Sequence, residues 1–467
     1  MKTKATEIFA NAPIPKAVLV NIVPSIVSML MVMIYNLADT FFIGQTKDPK
    51  MLAAVSLATP LFLIFMAVGM LFGIGGTSLI SRRLGEGKKE DADHACSFCF
   101  WTSLGVGIVS MIGIIIFVRP LSLLVGAQQD TLEYVEQYMF IIAFGIPFLI
   151  VSNAFSNIIR AEGKANVAMA GMILGNMANI VLDPIMILGF GWNVAGAAIA
   201  TTIGNVLSAL FYLYHMIFGK SMLTISLKKY KAGGKIASGV FSIGVPASLN
   251  SMLLSTSNII VNKLMVHYGT LAVAGLGVAM KVNMIAVMLL IGVGTGIQPL
   301  LGFNFGAGNR KRFMGILRFS IIFALALSAV MSVICYFGAG PMVSAFLENE
   351  DAYAFGMQFA RTLILSGPIL GVLFVMVNTI QSMGAAMPSL VLSISRQGLI
   401  YIPVLFTVNA LFDDANLLVM AQPISDYMAV ILSIIMFIIA FKLHFKSKES
   451  AQQSDETEQS GMETADV

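Results

Sequence analysis

Long apolar runs separated by short polar stretches dominate the pattern of this chain. Runs of about 20 or more apolar residues, enough for a helix to cross a bilayer, recur along nearly the whole sequence. They lie at approximately 17–43, 52–80, 95–118, 131–157, 165–189, 194–218, 238–265, 271–300, 314–338, 354–382, 387–411 and 417–443. These runs are about twice as long as a tilted barrel strand, so they predict twelve membrane-spanning helices.

Composition also indicates a membrane protein. Of the 467 residues, 57% are hydrophobic and only 11% are charged, far more hydrocarbon than a soluble core needs. The first run lacks a small-residue cleavage site and is too long for a signal peptide, so we expect it to remain as the first span. The polar stretch 446–467 has too little apolar surface to fold and is predicted to be disordered.

Lys and Arg are distributed asymmetrically between alternate polar segments. They concentrate at the N-terminus, in 82–89, 160–164, 219–235 and 310–312, and after 442, whereas the segments between these hold few. Cytoplasmic loops carry such an excess, so both termini are expected to be cytoplasmic. Anionic inner-leaflet lipid then accounts for the basic loops, and no nucleic-acid partner is expected.

The two halves of the chain resemble each other at a spacing of about 220 residues. The matching pairs include Pro24 and Pro246, Pro147 and Pro368, Asn157 and Asn378, and Gly163 and Gly384. The sequence therefore predicts an all-α membrane protein of two six-helix bundles related by a pseudo-two-fold axis. The predicted units are an N-lobe at 1–218, a cytoplasmic linker at 219–236, a C-lobe at 237–445 and the tail.

Asp39 and Asp183 lie inside apolar runs with no Lys or Arg close by. A carboxylate at membrane depth costs several kcal/mol on insertion scales, so such residues commonly bind ions or relay protons. Counting residues from the predicted outer helix ends places both acids, Thr201 and Tyr138 in one layer. The sequence thus predicts one polar site built from four spans.

Two asparagines share the helix face of Asp183. Asn179 precedes it by one turn and Asn176 by two turns. The resulting carboxylate, amide and hydroxyl oxygens suit a hard cation such as Na⁺, and a carboxyl in an apolar pocket can instead exchange a proton. Other readings remain open: Asp39 solvated at the interface, Asp183 marking a kink before Pro184, Tyr138 in an aromatic belt and Thr201 packing helices.

The second half carries charges of another kind. The positions aligned with the two aspartates are near Val261 and Val404, so the ion site is expected in the N-lobe alone. Lys281, Arg396 and Asp426 are candidate C-lobe cavity residues. Lys281 and Asp426 could pair, which would reduce the cost of burying either, or Lys281 could line a cavity or reach the interface.

Several function classes are excluded. No G-x-x-x-x-G-K-[ST] phosphate loop occurs, so ATP is not the energy source, and no cofactor is expected. Cys96 and Cys99 form a C-x-x-C near His94, but without a second such pair zinc is not expected, and reduced thiols fit better. No cluster of catalytic groups lies at an interface, so an enzyme is not expected.

These residues resemble the multidrug and toxic compound extrusion (MATE) family over positions 10–445, closest to the bacterial branch that includes MepA and DinF. The matching pieces are P-x14-D-T-x-F-I-G from Pro24 to Gly44, LGEGK after the second span, N-x-x-N-x-x-x-D-P from Asn176 to Pro184, and GWNVAGAAIATTIGN. The acidic pair that NorM-type members carry on spans seven and ten is missing here.

The resemblance implies an antiporter in the bacterial inner membrane that exports amphiphilic cationic drugs or dyes in exchange for Na⁺ or H⁺, acting as a monomer. It places the cation site on Asp39, Asn179, Asp183 and Thr201, with Tyr138, Asn157 and Asn176 in the polar network. Pro24 matches a proline that lets the first span bend. A flippase for lipid-linked precursors in the same superfamily is the alternative.

Overall fold

The computed structural model describes residues 4–45, 49–347 and 349–463. The regular secondary structure of these residues is entirely helical. Side chains are described for 7–43, 45, 53–347 and 349–443. In the first half the helices are α1 (Lys4–Asn11), α2 (Ile14–Gln45), α3 (Pro49–Gly85), α4 (Lys89–Leu124), α5 (Leu132–Ala161), α6 (Ala165–Asp183) and α7 (Asn193–Phe218). In the second half they are α8 (Lys235–Met265), α9 (Thr270–Gly306), α10 (Arg310–Ser344), α11 (Glu350–Ile364), α12 (Gly367–Ser382), α13 (Ala386–Ile394), α14 (Ile402–Leu411) and α15 (Ala415–Glu463).

The predicted twelve spans are confirmed over these residues. Eleven helical stretches are long and apolar enough to cross a bilayer, and α11 with α12 forms a twelfth that is bent by 50°. The bend follows from Gly367 and Pro368 at the start of α12, because proline lacks the N–H that would continue the helical ladder. The predicted span at 354–382 is thus present as a bent pair of helices.

Wide π-helical turns interrupt the fifth and eleventh spans. One covers Pro184–Gly189, directly after Asp183, and the other covers Ser395–Tyr401, between α13 and α14. Each lies next to a proline, Pro184 or Pro403, whose missing N–H disturbs the regular hydrogen-bond register. The two halves thus share the irregularity as well as the helix order.

The lobes meet at the end where α2 begins and α3 ends. There α1 and the first turns of α2 pack on the C-lobe, with Ile22 buried in one cluster with Val293 and Ile297 of α9. Gly296 permits this approach, since a Cβ on it would lie 2.8 Å from the Ile22 Cα. Residues at the start of the chain, assigned from sequence to the N-lobe, therefore also contact the C-lobe.

The linker between the lobes is bonded to the N-lobe. The indole Nε1 of Trp101 donates to the Ile225 carbonyl at 2.9 Å, and the Ser97 hydroxyl donates to the Ser226 carbonyl at 2.8 Å. His94 Nδ1 lies 2.7 Å from the Lys229 carbonyl. The Tyr230 ring stacks on Phe98 with centroids 6.0 Å apart, so the linker contacts α4 as far as Tyr230, and α8 begins at Lys235.

Helix α15 is described as far as Glu463, and residues 464–467 lie outside the described part. The disorder expected for 446–467 stays a prediction. This stretch contains no proline and is rich in Glu, Gln, Ala and Lys, which favour helix once a preceding span has nucleated it.

Candidate functional site

The N-lobe places its two intramembrane acids together. Asp183, at the end of α6, is fully buried, and Asp39, in the C-terminal part of α2, is partly exposed. The two carboxylates are close enough to interact electrostatically. One oxygen of Asp183, Oδ1, is buried without a hydrogen-bond partner among the described atoms. Asp183 Oδ1 is therefore available to bind a proton or a cation.

Asn179 connects Asp183 to α7. Oriented to satisfy its neighbours, its amide nitrogen donates to Asp183 Oδ2 at 2.9 Å, and its oxygen accepts from the Thr201 hydroxyl at 3.2 Å. The same oxygen lies 3.0 Å from the Thr201 backbone nitrogen. Three residues predicted from sequence to form the cation site are thus joined in one chain of hydrogen bonds.

Glycines let α6 and α7 approach closely enough for this contact. A Cβ on Gly204 would lie 2.7 Å from the Gly175 carbonyl oxygen and 3.3 Å from the Asn179 Cβ. The 2.7 Å distance to a backbone atom is incompatible with a side chain there unless the backbone moves. The small residues therefore set the spacing at which an α6 amide reaches an α7 hydroxyl.

Two tyrosines complete the polar layer. Tyr138 of α5 is buried and lies within electrostatic range of Asp39 and Asp183, as its counted depth predicts. Tyr35 of α2 lies beside the Thr201 hydroxyl and both acids, and sequence reasoning missed it. Its position one helical turn before Asp39 was the available signal.

A cavity of about 110 Å³ extends from this layer into the N-lobe. Its polar lining includes Asn36, Asn153, Asn176, Asn205, Ser152 and Ser208, and its apolar lining includes Phe62, Met66 and Met172. Asn176 therefore lines the cavity as the predicted polar network requires, and its side-chain nitrogen has no partner among the described atoms. The volume suits a hydrated ion and not a drug-sized molecule.

Asn157 is not part of the acid layer. Its Oδ1 accepts from Arg160 at 3.1 Å, and its nitrogen donates to the Asn153 carbonyl at 3.0 Å, near the opposite end of α5. Pro24 lies inside α2, which is helical from Ile14 to Gln45. The predicted bending at Pro24 stays a prediction.

The C-lobe charges pair differently from the sequence-based suggestion. Asp426 Oδ1 lies 3.5 Å from Arg396 and 3.1 Å from the Gln422 amide nitrogen, and Oδ2 accepts from Ser366 at 3.0 Å. Lys281 instead lies over the Phe346 ring at 5.2 Å. The suggested pairing of Lys281 with Asp426 was wrong because residue counting gives depth in the membrane and not the side of the helix.

Comparisons with known proteins agree with this architecture. The MatE family profile matches residues 24–185 and 246–407, one repeat in each lobe. The chain belongs to the MatE family. The multidrug export protein MepA of Staphylococcus aureus strain MSSA476 is 30% identical over 413 residues, covering 88% of this chain and 91% of MepA. MepA of Staphylococcus saprophyticus is 30% identical over 414 residues with the same coverage.

Solved MATE structures share the fold. A MATE crystal structure in complex with MaL6 superposes with a TM-score of 0.90 at 24% identity, covering 96% of this chain and 100% of that one. A Pyrococcus furiosus transporter of the MOP superfamily, described as having a binding pocket of reversed polarity, gives a TM-score of 0.87 at 24% identity, with coverages of 95% and 98%. The two-lobed MatE architecture predicted from the repeats is confirmed.

Proposed function

We propose that this MatE protein is a multidrug exporter that exchanges amphiphilic organic cations for Na⁺ or H⁺. The observation that carries the proposal is the buried acid pair of the N-lobe. Asp183 has one oxygen bound by Asn179 and one without a partner, and Asp39 lies close enough to interact with it. Two neighbouring carboxylates cannot both stay ionised and uncompensated in an apolar bundle, so they require a proton or a cation.

The closed end of the lobes supports alternating access. The inter-lobe contacts of Ile22 with α9 lie at the end that the basic loops assign to the cytoplasm, and with this orientation the arrangement is outward-facing. In this state an ion from outside reaches Asp39 first, since Asp39 is the more exposed acid. Neutralising the pair then removes the electrostatic cost of enclosing it when the lobes rock.

The substrate class follows from the walls around the site. Phe62, Met66 and Met172 line the cavity that extends from the polar layer, and methionine and aromatic side chains adapt to varied apolar cations. A drug too large for the 110 Å³ cavity would bind between the lobes and displace the ion by competing for the same negative charge.

A precursor flippase would need several cations free in the central cleft to bind pyrophosphate. Here Arg396 forms an ion pair with Asp426, and the Lys281 ammonium lies over the Phe346 ring, so both cations already have partners. These contacts favour the drug exporter.

The test is efflux of a fluorescent cation from proteoliposomes under separately imposed Na⁺ and pH gradients. We expect Asp183→Asn and Asp39→Asn to lose gradient-driven efflux, and the exposed Asp130→Asn to retain it. Full gradient-driven efflux in both site variants would reject the proposal.

A further inference from the structure

Arg160, in the last turn of α5, is the largest fully buried side chain among the residues whose side chains are described, with 2% of its surface exposed. Its guanidinium donates to Asn157 Oδ1 at 3.1 Å and to Met172 Sδ at 3.4 Å, while Nε has no partner. Within the described part of the chain both acceptors are neutral. A buried guanidinium without a carboxylate is costly, so its retention calls for a reason beyond packing.

The guanidinium lies directly beneath the inner end of the N-lobe cavity. Ser156, Met172 and Tyr212 line that inner end, which we call the cavity floor. Tyr212 follows Thr201 by eleven residues on α7, so the floor lies roughly 16 Å from the acid layer. Because Arg160 donates to Met172, its charge is one side chain away from the cavity.

Polar side chains follow one face of α7 from the acid layer to just past the floor. They are Thr201, Asn205, Ser208, Tyr212 and His215, spaced by three or four residues. The series begins at the Asn179 amide and ends where His215 Nε2 lies 3.1 Å from Glu162 Oε1. These side chains mark a polar exit route from the acid pair toward the basic end of the lobe, which packing closes at Ser208 and Tyr212, whose hydroxyls donate to the Gly171 and Ala168 carbonyls of α6.

If open, such a route would uncouple an antiporter. An ion or proton that left the acids through the lobe would dissipate the gradient without any movement of the lobes. A fixed positive charge in a narrow, poorly solvated passage opposes cations, as it does in selective pores. The matching C-lobe position is the neutral Gln381, and that lobe lacks the acid pair.

We propose that Arg160 is an electrostatic barrier at the cavity floor that prevents the coupling ion from leaking through the N-lobe. This role rests on the proposed ion coupling and adds to it. The acids bind the ion from one side, and the guanidinium blocks its exit within the lobe. Release then requires the lobes to open.

The experiment measures ion flux without drug in proteoliposomes that contain a pH indicator or a sodium indicator, under an imposed H⁺ or Na⁺ gradient. We expect Arg160→Gln and Arg160→Met to dissipate the gradient about tenfold faster than wild type, since a nearby unit charge changes cation occupancy by at least that factor. Arg160→Lys, which keeps the charge, should stay within about twofold of wild type.

Two further variants separate a specific leak from general damage. Adding Asn205→Leu to Arg160→Gln fills the cavity and should return the flux to the wild-type rate, because Asn205 lines the route. Arg312→Gln removes an arginine that is only partly buried, donates to carbonyls of α1 and lies away from the cavity, and this variant should not leak. Thermal unfolding and size-exclusion profiles show whether each variant folds.

Several outcomes would overturn the barrier. They are an unchanged flux in folded Arg160→Gln, a leak that Asn205→Leu does not suppress, or misfolding of both neutral variants while Arg160→Lys folds. The drug-efflux assay is scored separately. Gradient-driven efflux by wild type with no leak in Arg160→Gln removes only the barrier. A suppressible leak with no gradient-driven efflux by wild type removes the proposed antiport instead.

Discussion

The side-chain amide of Asn179 bridges Asp183 Oδ2, at 2.9 Å, and the Thr201 hydroxyl, at 3.2 Å, and so ties α6 to α7 at the acid pair. The bridge leaves Asp183 Oδ1 as the open position of the site. An ion or proton bound there meets a carboxylate that is already held in place.

Asn179→Ala removes this bridge and should weaken ion binding without abolishing it. A hydrogen bond to a charged group contributes about 1.5–3 kcal/mol, so we expect the half-saturating concentration of the coupling ion to rise about tenfold or more. Titrating Na⁺ or H⁺ against drug efflux in proteoliposomes measures it. Thr59→Val, which removes an exposed hydroxyl bonded only within α3, is the control. An unchanged titration would show that Asn179 does not hold the site.

Gly292→Ala should hinder closure of the lobes at their contacting end. A Cβ on Gly292 would lie 2.7 Å from the Ile26 Cα of α2, which is closer than packed atoms come. We expect efflux to fall about tenfold and spin-label distances between the lobes to lengthen at this end. Gly277→Ala adds the same methyl group on the same helix, α9, where nothing lies within 4 Å, and should behave as wild type. Equal effects of the two substitutions would refute this reading of the interface.

Glu162→Gln should reduce stability in a pH-dependent manner. Burial of Glu162 alone would raise its pKa, but hydrogen bonds from His215, Ser221 and the Met222 N–H and the charge of Lys164 hold that pKa below its usual value. The ionised group therefore stabilises the fold fully above the unfolded-state pKa of about 4.3, and this contribution is lost as the pH falls through the lower folded-state pKa.

At neutral pH we expect Glu162→Gln to lower the free energy of unfolding by about 2 kcal/mol, which thermal melting in detergent detects as a lower midpoint. The gap to wild type should narrow between about pH 5 and pH 3. Glu133→Gln, at an exposed carboxylate, should have little effect. A gap that is constant over this pH range would contradict the ionised state assigned to Glu162.

The C-lobe pair offers a double-mutant cycle. Asp426→Leu alone leaves Arg396 as an uncompensated cation next to the Phe374 ring, and we expect a loss of about 3 kcal/mol in stability. Replacing both residues, with Arg396→Met, should recover most of this loss because apolar groups of similar size fit an apolar bundle. Melting curves of the two single variants and the double variant give the coupling. Additive losses would mean that the 3.5 Å contact contributes nothing.

The sequence alone predicted which residues lie at the same depth in the candidate site. Helical spacing placed Asn179 beside Asp183, and counting residues from span ends placed Thr201 and Tyr138 at their level, because depth along a helix is linear in sequence. Rotation about a helix axis is not fixed by this counting, which is why Lys281 was paired wrongly. The π turns were not predicted because they depend on how proline disturbs a ladder already constrained by neighbouring helices.

Arg160 shows the other limit of sequence reasoning. By sequence it is one of several basic residues near a cytoplasmic loop, and it supported the predicted orientation. Its burial depends on α6 and α7 covering the end of α5, a tertiary arrangement with no local signature. Charges at span ends therefore need a structure before they can be separated into surface and interior groups.

The bonds that hold the linker on the N-lobe limit how far the lobes can separate. From Tyr230, whose ring stacks on Phe98 of α4, to the first residue of α8 at Lys235, only Lys231, Ala232, Gly233 and Gly234 intervene. A chain extends by at most about 3.6 Å per residue, so the five steps span about 18 Å at full stretch. The relative rotation of the lobes is limited by the length of this linker segment. Its two adjacent glycines, Gly233 and Gly234, are where the backbone can turn most freely.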